Sequence, residues 1–250
     1  MRQKLFVVPA LLGLLLSSGT AASAAQPTSA ISSHQLMTTR AAAGPSALVT
    51  LRVEGETGTI FEGPVRTRGH NVTTVAGGTH HCDGTNNGTN PTAEPTATGA
   101  LDTASATAGF TFDGPYDTGF DDFFITRIGG ETQTATQFWG ILLNGSFTQV
   151  GGCQQRVTTN DEVLFAFDAF SKSHVLALTG PARVRVGKPA TYHVTDEQTG
   201  APIAGASVNG ATSNAAGDAT VTFTGPTTVR VKADRSDSIR SNAVVTTVRP

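Results

Sequence analysis

The chain has 250 residues, with 17 Lys and Arg against 19 Asp and Glu and a formal net charge of −2. That balance argues against nucleic acid as a partner, because phosphate binding rests on a basic surface. Only 14% of the residues are charged while Thr, Ala and Gly abound, which fits a mostly β extracellular protein better than a helical one.

The N-terminus carries Arg2 and Lys4, an apolar run from Phe6 to Leu16, and the small residues Ala22-Ser23-Ala24. This is the pattern of a secretory signal peptide over residues 1–24. The run is shorter than the roughly 17 to 25 residues that a membrane helix needs, and no later segment is apolar enough, so no membrane span is expected. With Arg2 and Lys4 removed, 15 basic residues stand against 19 acidic ones. The expected product is secreted and large enough for one large or two modest domains.

Residues 25–46 read as a Ser/Thr/Ala-rich linker, expected to stay disordered because it can bury little apolar surface. Order is expected from Ala47. Val49, Leu51 and Val53 alternate with Thr50, Arg52 and Glu54, which predicts a half-buried strand. Gly55 to Gly58 reads as a turn, and Thr59 to Val65 as the returning strand of a hairpin. Pro64 cannot donate to a ladder, so this second strand is expected at a sheet edge.

His70 to Glu94 is polar and rich in Gly and Asn, and reads as a long loop. Thr98 is the expected cap of a short helix over 99–108, with Leu101, Ala104 and Ala108 inward and Gly109 ending it. Phe110 to Phe112 and Phe123 to Ile128 read as strands. Phe138 to Leu143 is apolar on both faces and reads as a central strand, followed by the turn signal Asn144-Gly145. Glu162 to Phe170 is the clearest strand: Val163, Phe165 and Phe167 share one face, and Leu164, Ala166 and Asp168 the other.

Beyond Val175, short apolar runs recur between Gly, Pro and Asn turns: 182–186, 190–195, 206–208, 218–224, 227–233 and 243–248. That spacing predicts a small all-β sandwich. The fold class is therefore α+β, mostly antiparallel β with one short helix, over residues 47–173, followed by a β-sandwich over 174–250.

Phe138-Trp139-Gly140 through Asn144-Gly145, followed by Asn160-Asp161-Glu162-Val163-Leu164-Phe165-Ala166-Phe167, resembles the transcobalamin C-terminal-like domain, also known as the DUF4430 family. The resemblance extends over about Val49 to Phe170. Asn160 stands where the family has Gly, and Phe167 where it has Tyr. The resemblance implies a β-grasp-like domain of a secreted protein. In transcobalamins that domain covers one face of a corrinoid held mainly by a helical domain. No such helical partner is expected here, no cobalamin contact is carried over, and no cofactor is expected. Asp196 through Thr199-Gly200-Ala201-Pro202 and Gly205-Ala206 to Gly217-Asp218 resembles bacterial Ig-like and carboxypeptidase-regulatory modules. That second resemblance implies a spacer or adhesive unit.

Several residues are candidates for chemistry. Cys82 and Cys153 are the two cysteines, and in an oxidising compartment they are expected to pair. Asp83, Thr85, Asn87 and Glu94, with Gly88 between, follow calcium-loop spacing; a plain polar loop is the competing reading. His70, His80 and His81 beside Cys82 could ligate a transition metal, but adjacent histidines converge poorly on one ion. Asp113, Asp117, Asp121 and Asp122 could form a hydrolytic carboxylate pair, or serve turns. Trp139, Phe138 and Tyr116, with Phe120 and Phe123, could form an aromatic ligand platform, or core. Asn71, Asn87 and Asn144 fit the N-glycosylation pattern in a eukaryotic host. No motif for a nucleophile, zinc protease or phosphate loop is present. The expectation is a non-enzymatic secreted protein that binds a small molecule, a glycan or a cell-surface component, with a structural or adhesive role as the alternative and a small hydrolase as the weaker one.

Overall fold

The computed structural model describes residues 44–250. The expected signal peptide and most of the expected linker lie outside these residues.

The first hairpin forms where side-chain alternation predicts it. Strand β1 (Ser46–Glu54) pairs antiparallel with β2 (Thr59–Arg68), and the Gly55 N–H closes the turn on the Gly58 carbonyl at 2.8 Å. Val49, Leu51 and Val53 are fully buried. His70 to Glu94, expected as loop, opens instead with a second hairpin, β3 (His70–Thr74) and β4 (Gly78–Cys82). Its polar sequence conceals an alternation in which Val72 and Thr74 face inward. Cys82 at its end is tied to Cys153 by a disulfide.

Helix α1 (Ala97–Ala108) starts earlier than expected. Its cap is Thr96, not Thr98: the extended backbone of Thr96 lets its hydroxyl accept the Gly99 N–H at 3.1 Å. The same hydroxyl donates to the Cys82 carbonyl at 3.0 Å, so the cap also anchors the helix to the disulfide hairpin. Leu101 and Ala104 face the core as expected, while Ala108 is exposed in the last turn. Gly109 ends the helix in the left-handed region, at φ 77°.

A run of two-residue strands follows: β5 (Phe112–Asp113), β6 (Tyr116–Asp117), β7 (Asp122–Phe123), β8 (Arg127–Ile128) and β9 (Glu131–Thr132). The single strand expected over 123–128 is broken because its two ends pair with different partners, Phe123 with Tyr116 and Ile128 with Phe112. Regular pairing resumes at β10 (Trp139–Leu143), which turns through Asn144-Gly145 into β11 (Ser146–Phe147). Strand β12 (Glu162–Phe167) is shorter than expected, because Asp168 adopts φ 53° and leads into a 3₁₀ turn over Ala169–Ser171.

These strands assemble a five-stranded sheet in the order β11-β10-β12-β1-β2. The β1–β12 pair is parallel and the others are antiparallel. The order places β2, with Pro64, at one edge and makes β12 the central strand. Strand β10, expected to be central, is flanked on one side only by the two-residue β11. Both faces of β12 are buried, and they enter different cores. Val163, Phe165 and Phe167 pack with α1, β1 and the short strands. Leu164 and Ala166 pack with Leu142, Ala169, Val175 and Ile239.

The remaining residues form three small sheets. Strands β13 (His174–Thr179), β14 (Arg183–Arg185), β15 (Pro189–Asp196), β16 (Ser207–Val208), β17 (Ala211–Thr212), β18 (Asp218–Thr222), β19 (Thr227–Val231), β20 (Ala233–Asp234), β21 (Ser238–Ile239) and β22 (Val244–Arg249) are ordered β18-β15-β13-β21, β14-β22-β19 and β17-β16-β20. Strands β13, β17 and β21 lie outside the expected runs, and the run expected over 227–233 divides into β19, which pairs with β22, and β20, which pairs with β16. Tyr192 on β15 is fully buried, and its hydroxyl meets Thr246 on β22 at 2.7 Å, joining two of these sheets.

Ser46 and Thr50 on β1 are exposed, as simple alternation predicts, but Arg52 and Glu54 are buried, covered by the second half of the chain. Arg52 is 1% exposed. It lies 3.2 Å from Glu197, and 3.2 Å from Glu162 in an ion pair that lacks hydrogen-bond alignment. Glu54, 2% exposed, receives Lys232 and, at 3.0 Å, Arg240. Glu62 on β2 receives Lys232 at 3.0 Å, Arg230 at 3.3 Å and the Ala243 N–H at 2.7 Å. Burial pushes the Glu62 carboxyl up, but the Ala243 N–H and the Lys232 and Arg230 charges outweigh it and hold it below the usual range.

Removing one member of a buried pair strands its partners. Glu54→Gln is therefore expected to cost about 3 kcal/mol, read as a lowered urea midpoint at unchanged slope. A loss under about 1 kcal/mol would place these pairs among ordinary surface bridges.

Candidate functional site

The short strands between residues 112 and 132 do little pairing, so side-chain bonds hold their shape. Asp122 is the organiser. Its carboxylate, 6% exposed, accepts the N–H groups of Phe123 (2.8 Å), Cys153 (3.0 Å) and Gln154 (3.3 Å). A Cβ on Gly151 would lie 2.3 Å from its Oδ2, so the turn that delivers these N–H groups requires glycine there. Burial pushes the Asp122 carboxyl up to about 6 against the lowering effect of those three N–H donors.

Asp121 adopts φ 52° and points its carboxylate, 3% exposed, to the opposite neighbours. It accepts from the Tyr116 hydroxyl, from the Asn87 N–H at 2.6 Å, and from His81 Nε2 at 2.9 Å. The other ring nitrogen of His81 lies 3.1 Å from Asp83. The Asp83 bond raises the His81 pKa, and the nearby Asp121 charge adds to it against the effect of burial. His80 stacks flat on Tyr116 at 3.6 Å between centroids, and Phe123 meets the Tyr116 ring edge-on at 5.0 Å. Burial and the Asp121 bond push the Tyr116 phenol up, so it stays a donor.

Against this wall lies a hollow of about 540 Å³ between residues 117–124 and 148–154. Phe120, 72% exposed, Phe124, 53% exposed, and Val150 line it with apolar surface. Asp117, Asp122, Thr148, Gln149 and Gln154 supply the polar groups. Gln154 donates to the Phe120 carbonyl, and Asp117 accepts the Gly119 and Phe120 N–H groups, so the loop bearing Phe120 is braced at both ends. A smaller cleft of about 220 Å³ runs along the seam beside Glu54, Lys172, Arg235 and Arg240. Its cations are already engaged: Arg240 with Glu54, Arg235 with Asp237, and Lys172 with the Ser236 carbonyl.

The predicted site residues disperse. Trp139 is 6% exposed, packs edge-on against Phe167 at 5.4 Å and donates to the Glu131 carbonyl, so it belongs to the core. Phe138 is half-buried. Tyr116 is half-buried and backs the hollow through Phe123. Phe124 was not singled out from the sequence, although its place in Phe120-Asp121-Asp122-Phe123-Phe124, an apolar cluster inside a Gly- and Pro-rich stretch, was a usable signal.

The candidate calcium loop is held by internal bonds. Asp83 accepts from the Thr85 hydroxyl at 2.6 Å and the Thr85 N–H at 3.1 Å. Asn87 gives its side-chain amide to the Thr118 carbonyl, and Glu94 gives its N–H to the Asp83 carbonyl. Among the described residues, no group of three or more His, Cys, Asp or Glu side chains is placed to hold a metal ion. Of the glycosylation candidates, Asn71 on β3 and Asn87 are exposed, and Asn144 spends its side chain on Asp161 and the Glu162 N–H. The expected disulfide is present, and both Cys82 and Cys153 are buried. Among the described residues no helix is long and apolar enough to cross a membrane.

Residues 99–169 match the model of a family described as "Domain of unknown function (DUF4430)". The match runs from the first turn of α1 through β12 and takes in the hollow, but leaves out the β1–β2 hairpin with which the resemblance was expected to begin. It spans less than a third of the chain. A search of curated proteins finds no match.

Two tests follow from this geometry. The disulfide closes a loop of 71 residues, so Cys82→Ser with Cys153→Ser is expected to cost about 4 kcal/mol in denaturant unfolding; an unchanged midpoint would contradict this. The raised Asp122 carboxyl binds its proton more tightly in the folded chain than in the unfolded one. Its contribution is therefore fully present below about pH 4 and lost as pH rises through about 6. Asp122→Asn is expected to gain roughly 3 kcal/mol relative to the native chain between those limits. A difference that does not change with pH would mean that Asp122 is ionised throughout.

Proposed function

We propose that this is a secreted, non-enzymatic ligand-binding protein in which a β-grasp-like module carries the binding hollow and an Ig-like module braces it. The observation that carries the proposal is the pair of exposed rings, Phe120 and Phe124, on a braced loop over a hollow of about 540 Å³. Two large apolar side chains held open to solvent cost hydration free energy that a bound apolar or ring-shaped ligand recovers. Asp117, Gln149 and Gln154 at the rim suit a ligand with hydroxyl or amide groups, such as a sugar ring or a flat polar heterocycle.

The β-grasp assignment is supported by topology: a first hairpin, a helix across one face, and a last strand returning parallel to the first in the middle of the sheet. Kinship with the transcobalamin C-terminal-like domain rests on the same arrangement and on the Trp139 and Glu162–Phe167 strands. The Ig-like assignment of residues 174–250 is supported by small β-sheets joined across a Tyr192-centred core. Secretion is supported by the N-terminal residue pattern and the disulfide. The non-enzymatic reading is supported by the engagement of Asp121 and Asp122, both buried and bonded to backbone N–H, Tyr116 or His81. Hydrolysis that Asp121→Asn or Asp122→Asn abolished would overturn it. A structural or adhesive role is the second reading, favoured by the ion pairs that fasten the two modules together.

Phe120→Ala with Phe124→Ala tests the hollow. Because both rings are exposed, the melting temperature is expected to stay close to that of the native chain. Native mass spectrometry of protein from its own culture medium, with a panel of phenyl glycosides as probes, is expected to show a non-covalent adduct that weakens at least tenfold in the variant. The absence of any adduct, or equal binding by the variant, would rule the hollow out.

A further inference from the structure

A second surface, remote in sequence from the hollow, carries a different chemistry. Strands β14, β22 and β19 form one sheet, and none of the three contains an Asp or Glu. Strand alternation sends Val184 and Val248 into the core and Arg183, Arg185 and Arg249 outward. Register places Arg185 directly beside Arg249 on the parallel pair, and Arg183 beside Thr247. Lys188 joins them from the following turn, where its N–H closes on the Arg185 carbonyl at 3.1 Å. A shallow groove of about 490 Å³ runs along Arg183, Arg185 and Lys188.

These four cations are exposed, and among the described residues none forms an ion pair, whereas Arg230 on the same sheet is paired with Glu62. Like charges placed side by side on neighbouring strands destabilise a sheet. Here they are gathered on a chain whose net charge is negative. A surface that holds such repulsion without an internal counter-charge is matched by an external one.

We infer that the outer face of this sheet is a binding site for an acidic polysaccharide, a glycan chain bearing carboxylate or sulfate groups. Strand geometry sets the cations on a grid of about 5 Å across the strands and about 7 Å along them, close to the rise of one sugar unit per cation. Arginine offers a planar fork to carboxylate and sulfate oxygens. Thr228 and Thr247, neighbours in the register, add hydroxyls suited to sugar hydroxyls. None of the three strands carries an aromatic ring, so the face lacks the stacking platform that single-stranded nucleic acid uses. This site does not depend on the hollow.

The test is calorimetric titration of the full chain with a heparin octasaccharide at low and moderate salt. Saturable binding is expected, weakening at least tenfold between about 50 and 200 mM NaCl because a few counterions are released. Arg183→Ser with Arg185→Ser and Arg249→Ser is expected to lose at least tenfold in affinity while melting at the same or a higher temperature, since the opposed charges are gone. Arg66→Ser with Arg68→Ser removes two exposed arginines from β2 and is expected to bind as the native chain does. No binding, equal binding by the triple variant, equal loss in the β2 variant, or tighter binding of a short DNA duplex than of the glycan would each overturn the assignment.

Discussion

The structure turns on the burial of the charged face of β1. Arg52 and Glu54 sit on the same strand as Leu51 and Val53, pointing the opposite way, and all four are buried. A charge taken out of water costs several kcal/mol unless it finds a partner. Strand β1 and its own sheet supply too few: Arg52 has Glu162 beside it, and Glu54 has the Thr59 hydroxyl. The rest come from Glu197, Lys232 and Arg240 in the second half of the chain. Such pairs add little net stability over an apolar contact, but they accept one arrangement only. They tie Glu197, Lys232 and Arg240 to β1.

This constraint decides where binding surfaces can lie. The five-stranded sheet has α1 and the large apolar core on one face, and on the other a smaller core shared with Val175 and Ile239 and the ion pairs to Glu197, Lys232 and Arg240. The first face is closed, and the second is open only at the end carrying Ser46, Leu48, Thr50, Arg66 and Arg68. Away from this sheet lie the irregular region between α1 and β12, and the β14-β22-β19 sheet. The two differ in kind. Around the hollow the charged groups are carboxylates, rings are exposed and no Lys or Arg is in the lining. On the β14-β22-β19 sheet the charges are cations and rings are missing. Segregating the two signs on one chain keeps its net charge small while giving each surface its own preference among ligands.

Legibility in the sequence followed periodicity. The β1–β2 hairpin, the Asn144-Gly145 turn and the two-faced β12 were readable because each shows a period of two or a turn with a fixed backbone demand. The β3–β4 hairpin was hidden because Thr, His and Asn fill its alternate positions. The 112–132 region was hidden because two-residue strands leave no pattern to detect. Trp139 illustrates a different failure. A lone tryptophan in a loop-rich protein invites a binding role, yet its register opposite Phe167 across an antiparallel pair places it in the core. The exposed rings are instead Phe120 and Phe124, which flank Asp121 and Asp122 in sequence. The basic face was invisible because Arg249 lies 64 positions from Arg185 and meets it only through the β14–β22 pairing.

Asp122 shows why a carboxylate that resembles a catalyst can be a scaffold. A general acid needs a raised pKa and an accessible proton. Asp122 has the first: burial raises it to about 6. Its oxygens, however, accept the Phe123, Cys153 and Gln154 N–H groups, and the residue is 6% exposed, so little of the carboxyl is open to a ligand. The raised value is the cost of burying a charge where three N–H groups converge, and those N–H groups are held in place by a disulfide whose other end anchors the cap of α1. Asp122, Cys153, Cys82 and Thr96 thus form one continuous chain of contacts from the edge of the hollow to the start of the helix. The loop bearing Phe120 can stand open to solvent because that chain of contacts, together with the short β6–β7 pairing that closes the loop, holds it.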